Sequence, residues 1–339
     1  MKKNKKALIA VICCVVVIAI VGGLFGAYFS SLNNVPERVE VEERSSSFYS
    51  KSRAYAVSSA PYCIDGVFET LLGLESYYNT NRHNASVIDV KLQQTRDGQF
   101  VVFSDELSTY SNASILYEGT NKICDLTLEE LRKVNLAYNY ADENGQYFYK
   151  PYTSDEELSL VNILTVEEFV TWFNDQRADL PLFAFSFYNP DEIADKTEGV
   201  YEVNRVFTEI GFPEFFFFCP DSEDTAKYID ENYPEMLRSA TEKEAKKLFV
   251  NCLSDKPAEA SFEIVYTVAD NGFFGKFSSE KFIAYAKNSG IALILKDIDT
   301  DSVKALATLG VDGFVSSDLE KVNTILKEEY RERKAAAKS

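Results

Sequence analysis

Residues 88–105 read IDVKLQQTRDGQFVVFSD, and the apolar start of this stretch belongs to a strand-like run, SVIDVKLQ, at 86–93. Asp89 and Lys91 lie two positions apart on this predicted strand, so their side chains project to the same face of a sheet. The simplest interpretation is an interior salt bridge between the carboxylate and the ammonium. A residual anion-binding role for Lys91 is the alternative.

Short apolar runs of this kind recur along the chain and alternate with amphipathic stretches of helical spacing. The apolar runs lie at 53–59, 86–93, 181–187, 214–219, 248–253, 262–268, 291–296 and 312–317. The amphipathic stretches lie at 126–134, 164–173, 278–290 and 299–310, and each has a Ser, Thr or Asp ahead of its apolar positions, as a helix N-cap requires. This alternation predicts an α/β fold, specifically a TIM-type (β/α)8 barrel, with a doubly wound sheet as the alternative.

The N-terminal region predicts a membrane protein. Residues 1–6 read MKKNKK, and residues 7–29 form an uncharged apolar run long enough to cross a bilayer as a helix. We interpret this as a cytoplasmic basic tail and a transmembrane signal anchor, which places the body of a single-pass cell-membrane protein on the extracytoplasmic side. A cleaved signal peptide is the alternative. Residues 30–50 then predict a polar stalk, 51–328 the barrel, and 329–339 a tail.

The charge balance restricts the possible partners. The chain has 35 Lys and Arg against 53 Asp and Glu, a formal net charge of −18. Such an acidic body argues against nucleic acid as a partner, because binding to phosphate backbones requires a basic patch. Only one histidine, His83, is present, and its polar surroundings predict a solvated loop residue.

Residues 88–105 are similar to the second-strand segment of the glycerophosphodiester phosphodiesterase family. LTLEEL at 126–131, LTVEEF at 164–169 and LGVDGFVSSDLEKV at 309–322 resemble further segments of that family, in the same order. The resemblance covers about residues 52–328. It implies a TIM-type barrel in which two histidines act as general acid and base on a phosphodiester. It also implies one divalent cation on three carboxylates, and an Arg and a Lys that clamp the phosphate.

The resemblance places other residue types at the proton-transfer positions. The two histidine positions fall on Tyr55 and Ser104, and the phosphate-clamping Arg falls on Ala56. Asp105, next to the second histidine position, is kept. Lys296 is a further group that could transfer a proton near the expected site.

The metal and clamp positions differ from the family pattern in the same way. The three metal carboxylates fall on Asp89, Lys91 and Ala184, and the clamping Lys falls on Ser186. An ammonium beside a single carboxylate repels a divalent cation, so the resemblance does not extend to the metal. We therefore expect no metal and no other cofactor.

A Tyr-rich, acidic insert is expected at about residues 135–160. Its tyrosines could form an exposed binding surface for an envelope protein, or pack on a small core of their own; they are Tyr138, Tyr140, Tyr147, Tyr149 and Tyr152. The functional hypothesis is a catalytically inactive barrel with a binding or scaffolding role, for a glycerophosphodiester or lipid-headgroup ligand. The alternative is an active phosphoric diester hydrolase of lipid metabolism with a non-standard site.

Overall fold

The structure is a computed structural model of the chain. It describes residues 26–37, 53–58, 67, 69–81, 85–142, 144–176, 181–272 and 275–336. Nine strands are described: β1 Tyr55–Ser58, β2 Val87–Gln94, β3 Phe100–Val102, β4 Leu164–Thr165, β5 Leu182–Phe187, β6 Phe216–Phe218, β7 Ile264–Val268, β8 Ala292–Lys296 and β9 Gly313–Ser316.

Parallel pairing carries the chain once around a closed ring. β1 pairs with β2, β2 with β5, β5 with β6, β7 with β8, β8 with β9, and β9 with β1. The gap between β6 and β7 is closed by two single bridges, Phe218 with Arg238 and Ser239 with Ile264. The fold is therefore a TIM-type α/β barrel, in which residues 238–239 supply the fifth strand position.

Helices cover the outside of the ring. The longer ones are α1 Leu71–Asn81, α5 Val166–Asp175, α6 Lys196–Glu209, α7 Glu223–Asn232, α8 Glu242–Leu253, α9 Glu280–Asn288 and α11 Leu319–Ala336; the shorter ones are α2 Ala113–Leu116, α3 Leu128–Leu131, α4 Asp155–Val161 and α10 Val303–Leu309. Capping boxes start α3, α4, α5 and α8. In each, the side-chain oxygen of a Thr or Ser accepts a hydrogen bond from the backbone N–H of the Glu three residues later, and the carboxylate of that Glu accepts one from the backbone N–H of the Thr or Ser.

The interior of the ring and the space between strands and helices form separate cores. The interior core draws on six strands and consists of Tyr55, Val57, Val87, Leu182, Ala184, Phe217, Ile264, Tyr266, Ala292 and Ile294. Two larger clusters lie between the ring and the helices, one around β5 and β6 and one around β8 and β9. Phe216 and Phe218 face one of these clusters while Phe217 faces the interior, so β6 is buried on both sides.

The predicted strand at 248–253 is wrong, because this run is the end of helix α8. Thr241 and Glu244 form the capping box that starts the helix. The buried residues of α8 recur at helical spacing and are Ala245, Leu248, Phe249 and Cys252. The other seven predicted strands each coincide with a strand of the ring.

The insert is longer than predicted and begins directly after β2. β3 pairs antiparallel with the end of β2, and β4 pairs with β3, so the extension runs from about residue 95 to 165 rather than from 135 to 160. Tyr140, Tyr149 and Tyr152 pack against a small core in this extension, whereas Tyr147 is 50% exposed. Packing on a small core is therefore confirmed for three of these tyrosines, and a binding surface for an envelope protein stays a prediction.

Both ends of the predicted domain organisation also need correction. Residues 26–32 are helical and Tyr28 is buried in the core beside α8 and α9, so residues 30–37 lie on the barrel and not in a stalk. Residues 329–336 continue α11 with Glu329 only 3% exposed, so they are not a tail. No helix within the described residues is long and apolar enough to span a membrane, and residues 7–25 of the predicted anchor lie outside them.

The Arg238 guanidinium secures the segment that closes the ring. Its side chain is 1% exposed, and it donates to Asp230 at 2.6 and 2.8 Å, to Glu244 at 2.9 and 3.0 Å, and to Ser261 Oγ at 2.8 Å. Burial alone would raise the pKa of Asp230 and Glu244, but the guanidinium outweighs it and holds both pKa values below their ordinary range. Helices α7 and α8 are thereby tied to the weakest part of the ring.

We expect Arg238→Met to lower the free energy of unfolding by about 3 kcal/mol, because it leaves two half-buried carboxylates beside an unpaired segment. Lys133→Met is the matched control, since Lys133 pairs with Glu129 on the surface and exposed pairs contribute less than about 1 kcal/mol. Urea denaturation of both variants measures the difference. Equal losses in the two variants would show that the Arg238 network does not hold the ring closed.

Candidate functional site

The carboxyl ends of the parallel strands meet at one end of the ring, which we call the mouth. The inward-facing residues near this end of β2, β5 and β8 are polar, in contrast to the apolar interior below them. They are Asp89, Lys91, Ser186 and Lys296. The structure thus brings together four of the residues that the sequence singled out, at the end of the barrel where TIM-type proteins place their sites.

Lys91 and Asp89 form the ion pair that their spacing predicts. Lys91 Nζ lies 3.0 Å from Asp89 Oδ1 and also donates to Ser186 Oγ at 2.8 Å. The Asp89 side chain is 6% exposed and that of Lys91 is 23% exposed. Ala184 pairs with Asp89 in the sheet and is fully buried, so the neighbouring strand offers no second carboxylate there.

Lys296 supplies a second ammonium at the mouth. Its Nζ lies 3.8 Å from the centre of the Tyr266 ring, within the range of a cation–π interaction. Burial lowers the pKa of Lys296, and the Lys91 ammonium lowers it further, while Asp89 opposes the shift. Lys91 and Lys296 therefore both lie close to the Asp89 carboxylate, in a protein with a net charge of −18.

Two further groups beside this cluster stay neutral. Burial raises the pKa of the Cys219 thiol to about 11, although Lys296 opposes the rise. Burial raises the pKa of the Tyr266 phenol well above its ordinary value, and the Asp89 carboxylate adds to that rise. Neither group ionises near neutral pH, so neither cancels the positive charge.

A buried carboxyl, Glu69, lies at the rim of the mouth. It is 5% exposed and accepts from the Ser104 backbone N–H at 3.0 Å and from the Ser104 hydroxyl. Burial raises the pKa of Glu69, and the nearby Asp105 carboxylate adds to the rise. The two hydrogen bonds from Ser104 lower the pKa but do not outweigh the burial. Gln93, two residues after Lys91, donates to the carbonyls of Phe103 and Asp105 at 2.9 and 3.0 Å and so fixes this rim to β2.

Tyr55 and Ala56 do not lie where the sequence comparison placed them. β1 extends to Ser58, so Tyr55 stands at its beginning, inside the ring and opposite Gly313, rather than in the turn that follows the strand. Ala56 faces outward into the core under the helices. Residues 59–66, which follow β1, lie outside the described part of the chain, as does His83.

Sequence reasoning missed Glu69 and Tyr266. Tyr266 lies two residues before the end of β7, and strand alternation from Ile264 could have placed it inside the ring. Glu69 had no such signal, because it lies outside any strand and meets Ser104 across 35 positions of sequence.

Within the described ranges, no three His, Cys, Asp or Glu side chains lie close enough together to hold a metal ion. Asp89 already pairs its charge with Lys91. The donors that surround it are two ammonium groups, a hydroxyl and a neutral phenol. This donor set does not fit a divalent cation, which prefers several carboxylate oxygens.

The architecture and the polar mouth define the chain as a TIM-type barrel with its site at the carboxyl ends of the strands. The family model described as the glycerophosphoryl diester phosphodiesterase family matches residues 73–321. The chain therefore belongs to that family. A search of curated proteins finds no match.

Solved structures support the same fold at low sequence identity. A glycerophosphoryl diester phosphodiesterase from Silicibacter pomeroyi is 13% identical with a TM-score of 0.59, over 83% of this chain and 95% of the other. One from Parabacteroides distasonis is 16% identical with a TM-score of 0.54, over 83% and 90%. An Oleispira antarctica phosphodiesterase in complex with sn-glycerol-3-phosphate is 13% identical with a TM-score of 0.53, over 81% and 97%.

We expect the pKa shift of Glu69 to make stability depend on pH. Its pKa is higher in the folded than in the unfolded chain, so the folded state binds this proton more tightly. Its contribution is most favourable below the unfolded pKa of about 4.3 and declines as pH rises through the folded value. The free energy of unfolding of the wild type, minus that of Glu69→Gln, should therefore fall as pH rises.

Urea denaturation at a series of pH values measures this difference. Ser104→Ala provides a second comparison, because it removes the hydroxyl bond that holds the pKa of Glu69 down and should steepen the decline. Parallel stability curves for the wild type and Glu69→Gln would mean that this carboxyl titrates alike in the folded and unfolded chain.

Proposed function

We propose that this chain is a membrane-anchored, extracytoplasmic member of its family that binds a phosphate-ester anion at the barrel mouth and does not hydrolyse it. The observation that carries the proposal is the contact of Lys91 with Asp89 at 3.0 Å and with Ser186 at 2.8 Å. The ammonium occupies the place where the family resemblance expects a metal carboxylate. The ligand class is a glycerophosphodiester or a lipid headgroup.

The charge at the mouth favours an anion. Lys91 and Lys296 place two ammonium groups beside Asp89. Phosphate oxygens accept hydrogen bonds from ammonium groups, and these charge-assisted bonds are stronger than neutral ones. A bound phosphate would also reverse the lowering of the pKa of Lys296, because it offsets both the burial and the repulsion from Lys91.

The same residues argue against hydrolysis by the family's chemistry. A divalent cation would have to displace Lys91 from Asp89. Among the described residues, no three His, Cys, Asp or Glu side chains lie close enough together to hold it. His83 is the only histidine of the chain. Tyr266 and Cys219 keep their protons near neutral pH, so neither serves as a general base.

A second candidate function is hydrolysis of a phosphodiester with a non-standard site. The observation that favours it is Glu69, whose raised pKa suits a general acid or base and which lies at the rim of the mouth beside Ser104. In this case Glu69 would transfer the proton, and Lys91 and Lys296 would stabilise the phosphate.

Release of glycerol-3-phosphate from glycerophosphocholine separates the two candidates. We expect no turnover by the purified full chain in detergent, with Mg²⁺, with Ca²⁺ or with chelator, because Lys91 already neutralises Asp89 and the described residues hold no cluster that fits a metal ion. Asp89→Asn and Glu69→Gln serve as controls. Metal-dependent turnover that Asp89→Asn abolishes would contradict the proposal that the barrel does not hydrolyse its ligand. Turnover that Glu69→Gln abolishes would establish hydrolysis with a non-standard site.

Binding of sn-glycerol-3-phosphate tests the anion site directly. We expect Lys296→Met to weaken binding about tenfold or more, because one charge-assisted hydrogen bond contributes about 1.5–3 kcal/mol and 1.4 kcal/mol is a factor of ten. Lys304→Met is the matched control, since Lys304 pairs with Glu332 on the outer helices. Isothermal titration calorimetry measures the affinities. Equal affinities in the two variants would show that Lys296 does not bind sn-glycerol-3-phosphate.

A further inference from the structure

The segment that follows the apolar N-terminal run is fixed to the wall of the barrel. Tyr28 is 7% exposed and belongs to the core beside α8 and α9. Ser31 Oγ donates to the Leu253 carbonyl at 2.6 Å and accepts from Lys281 Nζ at 3.3 Å. Asn288 Nδ2 donates to the Glu37 carbonyl at 2.7 Å. These contacts set the direction in which the chain arrives at the barrel.

The segment runs from the mouth end towards the opposite end. The Phe29 ring lies 5.8 Å from Lys276 Nζ, in the loop that follows the mouth end of β7. Glu37 contacts Asn288, the last residue of α9, and this helix ends where β8 begins, at the far end of the ring. Residue 26, the first described residue of this segment, is therefore on the mouth side.

The extension after β2 is on the same side of the molecule, across the ring from β7. It carries four exposed apolar side chains, which we call the tip: Ile115 at 68% exposure, Leu116 at 47%, Tyr147 at 50% and Phe148 at 57%. Asn135 joins the two parts of the tip: its carbonyl accepts from Asn112 N–H at 3.2 Å, and its Nδ2 donates to the Tyr149 carbonyl at 2.6 Å.

The chemistry of this tip fits a lipid–water interface. Tyrosine rings with an adjacent lysine place an apolar body in the headgroup region and keep the polar ends in water. Lys150 Nζ lies 5.0 Å from the Tyr138 ring centre and 5.6 Å from that of Tyr147. Since the chain carries a net charge of −18, contact with a bilayer depends on the anchor and this tip and not on attraction to anionic lipid.

We infer that the mouth of the barrel faces the bilayer in which residues 7–25 are embedded, with the anchor on one side of the mouth and the Ile115–Phe148 tip in contact with lipid on the other. The inference rests on the proposed membrane anchor and deepens the proposed function. It makes the bound phosphate ester a lipid headgroup of the adjacent bilayer surface.

Tryptophan fluorescence in vesicles tests this orientation with the full chain. Trp172 is the only tryptophan and is replaced by Phe. Single tryptophans are then introduced as Phe148→Trp and Ile115→Trp at the tip, and as Thr208→Trp at the exposed far end of α6. Each variant is reconstituted in phosphatidylcholine vesicles with and without brominated acyl chains, which quench tryptophans at the membrane.

We expect brominated lipid to reduce the fluorescence of both tip variants about twofold and to leave that of Thr208→Trp nearly unchanged, because interfacial side chains enter about 5–10 Å into the boundary region. Equal quenching at the three positions, or stronger quenching at Thr208→Trp, would overturn the inferred orientation.

Flotation of the vesicles and glycerol-3-phosphate binding in detergent distinguish a failure of the proposed anchor from a failure of the inferred orientation. A chain that does not float with the vesicles has no anchor, which overturns the orientation and the anchored part of the proposed function. A chain that floats and binds glycerol-3-phosphate but shows equal quenching keeps the proposed function and loses only the orientation.

Discussion

Closure of the ring through residues 238–239 is the constraint on which the rest of the structure depends. A closed barrel has no free strand edge, so each inward-facing side chain must fit against those of the other strands. The fifth strand position is reduced to two bridges, and the Arg238 guanidinium compensates by binding Asp230 and Glu244 on the flanking helices. Below the mouth the interior is apolar and fully packed, which confines polar groups to the carboxyl ends of the strands.

A single carboxylate in this enclosed mouth needs a positive partner. Asp89 is almost inaccessible, and an unpaired charge in such a position costs several kcal/mol. In a family whose mouth is expected to hold a metal, the cation would supply that charge. Here Lys91 supplies it from two positions along the same strand, and Ser186 holds the ammonium in place. The barrel can therefore keep its shape and its site without a bound ion.

Sequence periodicity correctly predicted which side chains share a face of a single strand. Alternation along β2 placed Asp89 and Lys91 on one face because side chains in a strand repeat every two residues. Length and hydrophobicity could not separate the helix end at 248–253 from a strand, since short apolar runs fit both. Tyr55 was placed in a turn because the boundary of β1 was unknown. Glu69 meets Ser104 only through the tertiary fold, which no local pattern reports.

The contrast between the mouth and the whole surface bears on how a ligand arrives. At physiological salt, the repulsion of an anionic ester by the net charge of −18 and its attraction to the two lysines both act within a screening length of about 8 Å. In the anchored arrangement that we propose, a lipid headgroup is already within that range, and tethering raises its effective concentration without any new contact. The combination of an acidic body, two lysines at the mouth and the anchor that we propose on the mouth side therefore favours a ligand presented by the membrane over one captured from solution.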